Sequence, residues 1–396
     1  MDKIQYDVIK IATYKEMKAF FKTIISIIKI NKISYDWKKN VFFSENENYT
    51  AYFYPLVKKF LDNKKKVIYV TSQIDDPIFK LENEYLKIFY VSPLIGQILF
   101  FNYLKCERIF LTMPDVGNYH LKKSDNCKAY TYIFHAPTSL NMLYKHRALF
   151  NYDEFFFVGE HQYKEFSEYI EKYNLKNKKL FKIGYFRLDE ISKNKTENKQ
   201  NPIKKIIIAP TWGKFNLINL CGDKIIEHLI QNKFEVILRP HIQSLTSTLS
   251  ASKYDNIEIK KIEKKFKKFD NFKIQKADFS NTDSLSESDY LITDWSGVGI
   301  EYAFAYERPV IYIDTPRKIF NVKFNDISSE PLEVTIRDKI GIVVAIQEVD
   351  QILDKIGDLS KNYDNYVTKI KELRKANIYN YQHSVDYAFS QLNDKL

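Results

Sequence analysis

The sequence predicts an α/β protein with two doubly wound halves, whose parallel sheets face a central cleft. Short apolar runs recur along the chain with helical patterns between them. These runs are continuous rather than alternating, as is typical of parallel strands that are buried on both faces. The polar segment 192–204, rich in Lys and Asn, separates two stretches with the same pattern and indicates a linker.

Nine of the apolar runs predict strands. Five precede the linker, at 65–72, 86–92, 107–114, 129–137 and 154–160, and four follow it, at 204–212, 234–241, 289–295 and 308–314. The pattern "GDKIIEHLIQNK" (222–233) predicts one of the helices between them. In such sheets ligands bind beyond the carboxyl ends of the strands, so the residues that end the strands are candidates for function.

Composition indicates the compartment and the class of partner. The net charge of +11, from 61 Lys and Arg against 50 Asp and Glu, favours a polyanionic partner: nucleic acid, anionic lipid or a phosphorylated substrate. Three scattered cysteines indicate a reducing compartment. The first residues lack the apolar core of a signal peptide. The sequence contains no uncharged apolar run of 18 residues, so no membrane span is predicted. We therefore expect a cytoplasmic protein.

Two lysine-rich segments, 17–32 and 259–273, combine bulky apolar residues with lysines in the manner of helices that lie on a membrane surface. The alternative is a packed helix whose lysines face solvent, and composition favours that alternative for both. Peripheral contact with the inner face of an anionic membrane is a secondary hypothesis.

Several of the predicted strands are followed by polar residues whose side chains can take part in catalysis or ligand binding. Each has a structural alternative, since a histidine at a strand end is usually a satisfied structural residue and an Asp there commonly caps a helix. Their convergence at one edge favours a ligand site instead. The residues are His135, Thr211, Trp212, Arg239, His241, Asp294 and Ser296.

The stretch "SDYLITDWSGVGIEYAFAYERPVIYIDTP" (288–316) predicts a strand, a turn, a helix and a second strand. A helix that begins near Gly297 leaves its first N–H groups unpaired, and together with the helix dipole they form an anion site. Ser296 can add a hydroxyl donor, and the carboxylate of Glu301 can accept from ribose hydroxyls.

This stretch resembles the nucleotide-binding segment of the CDP-glycerol glycerophosphotransferase family, the teichoic-acid polymerases and their relatives. That family shows a strand, Thr-Asp-Tyr-Ser-Ser, a helix and a Pro-initiated strand that ends in Asp. "IIIAPTWGKF" resembles its Ala-Pro-Thr-Trp-Arg segment, "LRPH" its Arg-x-His strand end, and "IGYFRLDEI" its Gly-x-Pro-Arg-x-Asp element. "FHAPTSLNMLY" stands where the family has Trp-His-Gly-Thr-Pro. The matches span 130–316.

The resemblance implies a GT-B architecture with two Rossmann-like domains. We expect an acceptor-side domain over 1–195, a nucleotide-donor domain over 196–375, and a final helix over 376–396 that packs back on the first domain. It also implies two catalytic histidines, His135 and His241, with no metal and no required cofactor. The residues expected to bind the donor are Thr211, Trp212, Arg239, Thr293, Asp294, Trp295, Ser296, Gly297 and Glu301.

The expected function is transfer of glycerol phosphate, or a related polyol phosphate, from a CDP-activated donor to a glycan or lipid-linked acceptor in cell-surface polysaccharide synthesis, with release of CMP. The alternative is a GT-B glycosyltransferase that uses a nucleotide sugar in capsule or lipopolysaccharide assembly. Trp295, Gly297, Gly213, Phe186 and the Ala-Pro after His135 depart from the family pattern, which leaves the donor and acceptor open. No nucleic-acid motif is present, so nucleic acid is not an expected partner.

Overall fold

The structure, a computed structural model, describes residues 14–196, 204–246, 250–275 and 283–393. Its thirteen described strands are β1 Val41–Ser44, β2 Val67–Thr71, β3 Leu86–Tyr90, β4 Cys106–Leu111, β5 Cys127–Ile133, β6 Glu154–Phe157, β7 Lys179–Lys182, β8 Lys205–Ile208, β9 Glu235–Leu238, β10 Phe272–Ile274, β11 Tyr290–Thr293, β12 Val310–Asp314 and β13 Gly341–Ala345.

Helices connect the strands and follow the last of them. They are α1 Tyr14–Lys32, α2 Thr50–Asp62, α3 Ile95–Tyr103, α4 Leu140–Leu143, α5 Glu160–Tyr173, α6 Phe186–Ser192, α7 Leu217–Gln231, α8 Ile242–Thr246, α9 Ser250–Phe266, α10 Asp283–Glu287, α11 Val298–Tyr306, α12 Leu332–Ile336, α13 Ile352–Lys361, α14 Tyr363–Asn377 and α15 Ser384–Asn393.

The strands form two parallel sheets with the same winding. The first has the order β3-β2-β1-β4-β5-β6-β7, and the second has the order β10-β9-β8-β11-β12-β13. In each sheet the chain first winds outward in one direction and then returns to the centre to wind in the other. The crevice where the winding reverses, between β1 and β4 and between β8 and β11, is where ligands bind in doubly wound sheets.

The predicted fold is confirmed, and all nine predicted strands are present. Four further strands, β1, β7, β10 and β13, were not predicted. The linker prediction falls partly on 197–203, which lies outside the described residues. Helix α15 packs against α2 and α6, whereas the domain limits at 195 and 375 stay a prediction.

The two sheets are packed with different side chains. Around the first sheet, aromatic rings fill much of the core, as in the stacked pair Phe42 and Phe110 at a centroid distance of 4.5 Å. Around the second sheet, the core is mainly Ile and Leu from the strands, α7 and α13. Inner strands such as β1, β2, β6 and β11 are buried throughout, whereas the edge strands β3, β7, β10 and β13 are only partly buried.

The two lysine-rich segments differ in the structure. Helix α9 buries Ile259, Ile262 and Phe266 in the second core, as expected for a packed helix with lysines in solvent. Helix α1 instead buries Thr23, Ser26 and Ile30 and exposes Met17, Phe20, Phe21, Ile25 and Ile28. No helix in the described ranges is long and apolar enough to cross a bilayer.

Candidate active site

A cavity of about 400 Å³ lies between the two sheets, at the carboxyl ends of their strands. Residues of both halves line it. The N-terminal wall includes Asn46, Asn48, Tyr49, Tyr52, His135, Tyr144 and Arg187, and Arg187 forms an ion pair with Glu301. The C-terminal wall includes Thr211, Trp212, Arg239, His241, Trp295, Ser296, Gly297, Glu301, Lys318 and Glu333. The cavity is large enough for a small nucleotide-activated substrate.

His135 follows β5 and lies among three tyrosines of the N-terminal wall. Its ring makes edge contacts with Tyr49 and Tyr52, both at 5.9 Å, and with Tyr144 at 6.2 Å. Burial lowers the pKa of His135 to about 4, against a smaller upward effect of the backbone of Thr112. The ring is therefore neutral at pH 7. Its Nδ1 has no hydrogen-bond partner among the described residues, so this nitrogen can accept a proton.

His241 follows β9 and lies near enough to His135 for the charge of one ring to affect the pKa of the other. Burial, with smaller contributions from the charges of Lys318 and His135, lowers the pKa of His241 to about 3. The backbone N–H of Gln243 donates to Nδ1 at 3.1 Å. Because Nδ1 accepts, the proton of the neutral ring is assigned to Nε2. His241 can therefore donate a hydrogen bond, while His135 can accept a proton.

Helix α11 presents its N-terminus at the cavity, as the sequence predicts. Gly297 caps it without a side-chain hydrogen bond. In the described part of the chain, no acceptor contacts the N–H of Gly297 or Val298, which leaves two donors at the positive end of the helix. A Cβ on Gly297 would lie 3.3 Å from Thr138 Cγ2. The glycine thus lets the helix approach the loop that follows His135.

Trp295 is held firmly beside this helix. Its indole N–H donates to the carbonyl of Thr315 at 2.7 Å, and the guanidinium of Arg337 stacks on its ring at 3.6 Å from the centroid. Arg337 also donates to Asp314 at 2.7 Å. The departure from tyrosine at this position therefore gives a larger face for cation stacking.

Asp294 is fully buried and holds the loop between β8 and α7. Its two carboxylate oxygens accept from the N–H of Thr211 at 2.7 Å and from that of Leu217 at 2.9 Å. Thr293 is buried too and donates to the carbonyl of Ala209 at 2.6 Å. Neither Thr293 nor Asp294 lines the cavity. Both positions support the C-terminal wall from behind.

Glu301 lies at the edge of the cavity and joins the two halves. Tyr185 donates to one carboxylate oxygen at 2.6 Å, and Arg187 Nε donates to the other at 3.3 Å. All three side chains are almost fully buried. Both carboxylate oxygens of Glu301 thus accept hydrogen bonds within the protein. Contact of Glu301 with a ribose stays a prediction.

Comparison with known proteins shows which family the chain belongs to. A family model described as CDP-Glycerol:Poly(glycerophosphate) glycerophosphotransferase matches residues 135–383, well over half of the chain. The chain belongs to this family. The match begins at His135 and includes both candidate histidines and helix α11. The predicted family is thus confirmed, and the protein is a glycerophosphotransferase-like enzyme.

The fold of this glycerophosphotransferase is similar to that of solved GT-B proteins. A variant of the wall teichoic acid polymerase TagF has a TM-score of 0.59 at 15% identity, over 96% of this chain and 98% of that chain. TagF soaked with CDPG has a TM-score of 0.55 at 16% identity, over 96% and 93%. A putative UDP-N-acetylglucosamine 2-epimerase from Listeria monocytogenes has 0.59 at 10% identity, over 90% and 96%. A search of curated proteins found no sequence match.

The glycerophosphotransferase brings together nine of the eleven predicted site residues in its cavity lining. The exceptions are Thr293 and Asp294, which lie behind it. Three other histidines, His120, His146 and His161, do not line the cavity. No group of three or more His, Cys, Asp or Glu that could hold a metal occurs within the residues described.

Sequence reasoning did not assign three charged residues of the lining to the site: Arg187, which belongs to the segment "IGYFRLDEI", and Lys318 and Glu333. Lys318 lies beside Trp212, with Nζ 3.7 Å from the ring centroid. Glu333 accepts from the N–H of Ser139 at 2.9 Å, and burial raises its pKa to about 7. Neither Lys318 nor Glu333 belongs to a strand end or to a motif, so no local pattern signals it. The only local hint of a charged site was the adjacent pair Arg317 and Lys318 in "TPRKIF" (315–320).

Proposed function

We propose that this enzyme transfers glycerol phosphate, or a related polyol phosphate, from a CDP-activated donor to a glycan or lipid-linked acceptor, with release of CMP. The observation that carries the proposal is the pairing of two chemically different histidines across one cavity in a chain of this family. The name of TagF as a wall teichoic acid polymerase supports a teichoic-acid-like product.

The C-terminal wall suits the donor. Arg239, the N–H groups of Gly297 and Val298, and the Nε2–H of His241 are donors that can bind the diphosphate. They supply positive charge where negative charge develops as CMP departs, which is how most phosphoryl-transfer enzymes obtain their rate.

The N-terminal wall suits the acceptor. Its tyrosine rings and the amides of Asn46 and Asn48 offer stacking surfaces and neutral hydrogen bonds, which are typical of polyol and sugar recognition. His135 lies among them and can take the proton of the attacking hydroxyl. The acceptor oxygen then bonds to the phosphorus that carries the glycerol, and the P–O bond to CMP breaks with its electron pair leaving on CMP.

The decisive assay offers the enzyme a panel of CDP-alcohols and nucleotide sugars with a glycan acceptor. We expect CMP release from CDP-glycerol or CDP-ribitol, coupled to a phosphodiester product. Release of a nucleoside diphosphate from a nucleotide sugar, with no CMP from any donor, would establish the glycosyltransferase alternative instead.

We further propose that helix α1 places the enzyme on an anionic membrane, where lipid-linked acceptors are found. The helix buries Thr23, Ser26 and Ile30, while several of its bulky apolar side chains are exposed. Thr23 is buried, where its hydroxyl accepts from the N–H of Ser92 at 2.7 Å, while Phe21, Ile25 and Ile28 are exposed.

The exposed face continues on the neighbouring surface. Leu94 and Ile95, at the start of α3, are exposed by 66% and 61%, and α3 packs against α1. Lys22 and Lys29 flank a shallow depression beside this face. An apolar face with a lysine margin has the chemistry of an interfacial helix on anionic lipid.

Vesicle co-sedimentation tests this placement. We expect binding to vesicles with 30% phosphatidylglycerol and loss of most of it in the double variant Phe21→Ser, Ile25→Ser. Ile257→Ser is the matched control, since Ile257 is exposed to a similar degree on α9. Equal binding by the double variant and the wild type would exclude this role for α1.

A further inference from the structure

Lys318 is fixed in the C-terminal wall by neutral partners. Its Nζ donates to the carbonyl of Trp212 at 2.6 Å and to Thr211 Oγ1 at 3.3 Å. The ammonium also lies over the rings of Trp212 and Phe320, at 3.7 and 5.1 Å from their centroids. These contacts hold the charge at one place beside the cavity that Lys318 lines.

The charge of Lys318 is not balanced by an ion pair within the described ranges. Asp294 and Asp255 are the acidic groups that act on it, and neither is within salt-bridge distance. The oxygens of Asp294 accept from backbone N–H groups, and those of Asp255 accept from Gly213 N, Asn219 Nδ2 and Ser244 Oγ. Both carboxylates are thereby held in place as part of the scaffold.

An ammonium without an ion-pair partner in a half-buried position is costly, and an anionic ligand would offset that cost. Burial lowers the pKa of Lys318 to about 8, so the side chain still carries its charge at pH 7. An ammonium has three N–H donors, of which the protein contacts use two. One donor remains for a ligand in the cavity.

We propose that Lys318 binds the diphosphate of the nucleotide donor and stabilises the phosphate that departs with the nucleotide. This inference rests on the proposed function. Lys318 and His241 both line the cavity, and the charge of Lys318 lowers the pKa of His241. Lys318 stays protonated throughout, while the electron pair of the breaking P–O bond leaves on CMP and the proton of the acceptor goes to His135.

A purely structural role is the competing explanation, because Lys318 also ties the 315–320 segment to the loop at Trp212. The two roles differ in their dependence on ligand charge. If Lys318 binds phosphate, its loss weakens the binding of a nucleoside diphosphate and leaves the binding of the uncharged nucleoside unchanged. If its loss only loosens the wall, the binding of both ligands is weakened.

NMR titration with CDP and with cytidine separates the two roles. We expect Lys318→Gln to weaken CDP binding by about 10- to 100-fold, the worth of one charge-assisted hydrogen bond, and to leave cytidine binding unchanged. Lys318→Arg should recover part of the affinity for CDP. Lys214→Gln is the matched control, because Lys214 is exposed on the same loop as Trp212 and does not line the cavity.

Two results would overturn the assignment of Lys318. One is CDP affinity that is unchanged in Lys318→Gln, and the other is equal loss for CDP and cytidine. A wild-type enzyme that binds UDP but not CDP would instead show that the proposed donor is wrong. In that case the same comparison with UDP and uridine decides the role of Lys318.

Discussion

The two walls of the cavity differ in how they are built. The C-terminal wall combines Arg239, Lys318 and a helix N-terminus, held from behind by the buried carboxylate of Asp294. The N-terminal wall presents tyrosine rings and amides around His135. A wall rich in fixed positive charge suits a diphosphate, whereas an aromatic and amide wall suits a neutral acceptor. This difference supports the proposal that the two substrates bind on opposite sides of the cavity.

The largest expected effect is on chemistry at the N-terminal wall. We expect His135→Ala to lower kcat by about 10²- to 10⁴-fold, because the attacking hydroxyl loses its general base. The measurement is the steady-state rate of CMP release from CDP-glycerol. His146→Ala is the control, since His146 belongs to the same half and does not line the cavity. Full turnover by a folded His135→Ala enzyme would remove the proposed base.

The next effect concerns the support of the C-terminal wall. Asp294→Ala leaves the N–H groups of Thr211 and Leu217 without their acceptor, so we expect a loss of roughly 2–4 kcal/mol in the free energy of unfolding. Denaturant unfolding measures this loss. Ser296→Ala, at the cavity surface, should leave stability unchanged. If Asp294→Ala were as stable as wild type but bound donor poorly, Asp294 would contact the donor directly.

A pH profile tests the neutrality of the N-terminal wall. Burial among Tyr49, Tyr52 and Tyr144, opposite His241, lowers the pKa of His135 to about 4. A lowered pKa means that the base stays unprotonated as pH falls through the range in which an ordinary histidine gains its proton. We expect kcat/KM for the donor to stay level from pH 7.5 to about 5 and to fall below that. An acid limb centred near 6.5 would contradict this environment.

The smallest effect concerns acceptor recognition. Tyr49→Phe removes one neutral hydroxyl from the N-terminal wall, so we expect KM for the acceptor to rise by roughly 3- to 10-fold with little change in KM for the donor. Initial rates at varied acceptor concentration measure it, with the exposed Tyr103→Phe as control. A rise in KM for the donor alone would place Tyr49 on the donor side.

Much of the fold could be predicted because continuous apolar runs signal buried parallel strands. The run at 204–212 and the run at 289–295 became neighbouring strands β8 and β11, and their polar ends meet at the cavity as expected. Strand β1, "VFFS", was missed because only four residues lie between polar flanks. Such a short run carries too little periodicity to stand out.

The site was harder to predict, because its partners are far apart in the chain. Glu301 meets Tyr185 and Arg187 across more than a hundred residues. Lys318 reaches Trp212 in the same way, from a segment with no motif. The orientation of Asp294 also escaped prediction, since the same sequence allows a carboxylate to cap its own helix or to hold a neighbouring loop. Local patterns specify strand ends, but they do not specify which distant side chains meet there.

We propose that the C-terminal wall binds the donor while the N-terminal wall supplies the base. Equilibrium binding of CDP-glycerol to His135→Ala and to Arg239→Ala tests it most directly. We expect His135→Ala to bind the donor as tightly as wild type although it cannot turn it over, and Arg239→Ala to bind at least about 10-fold more weakly. Donor affinity that falls in His135→Ala and stays intact in Arg239→Ala would contradict this division between the walls.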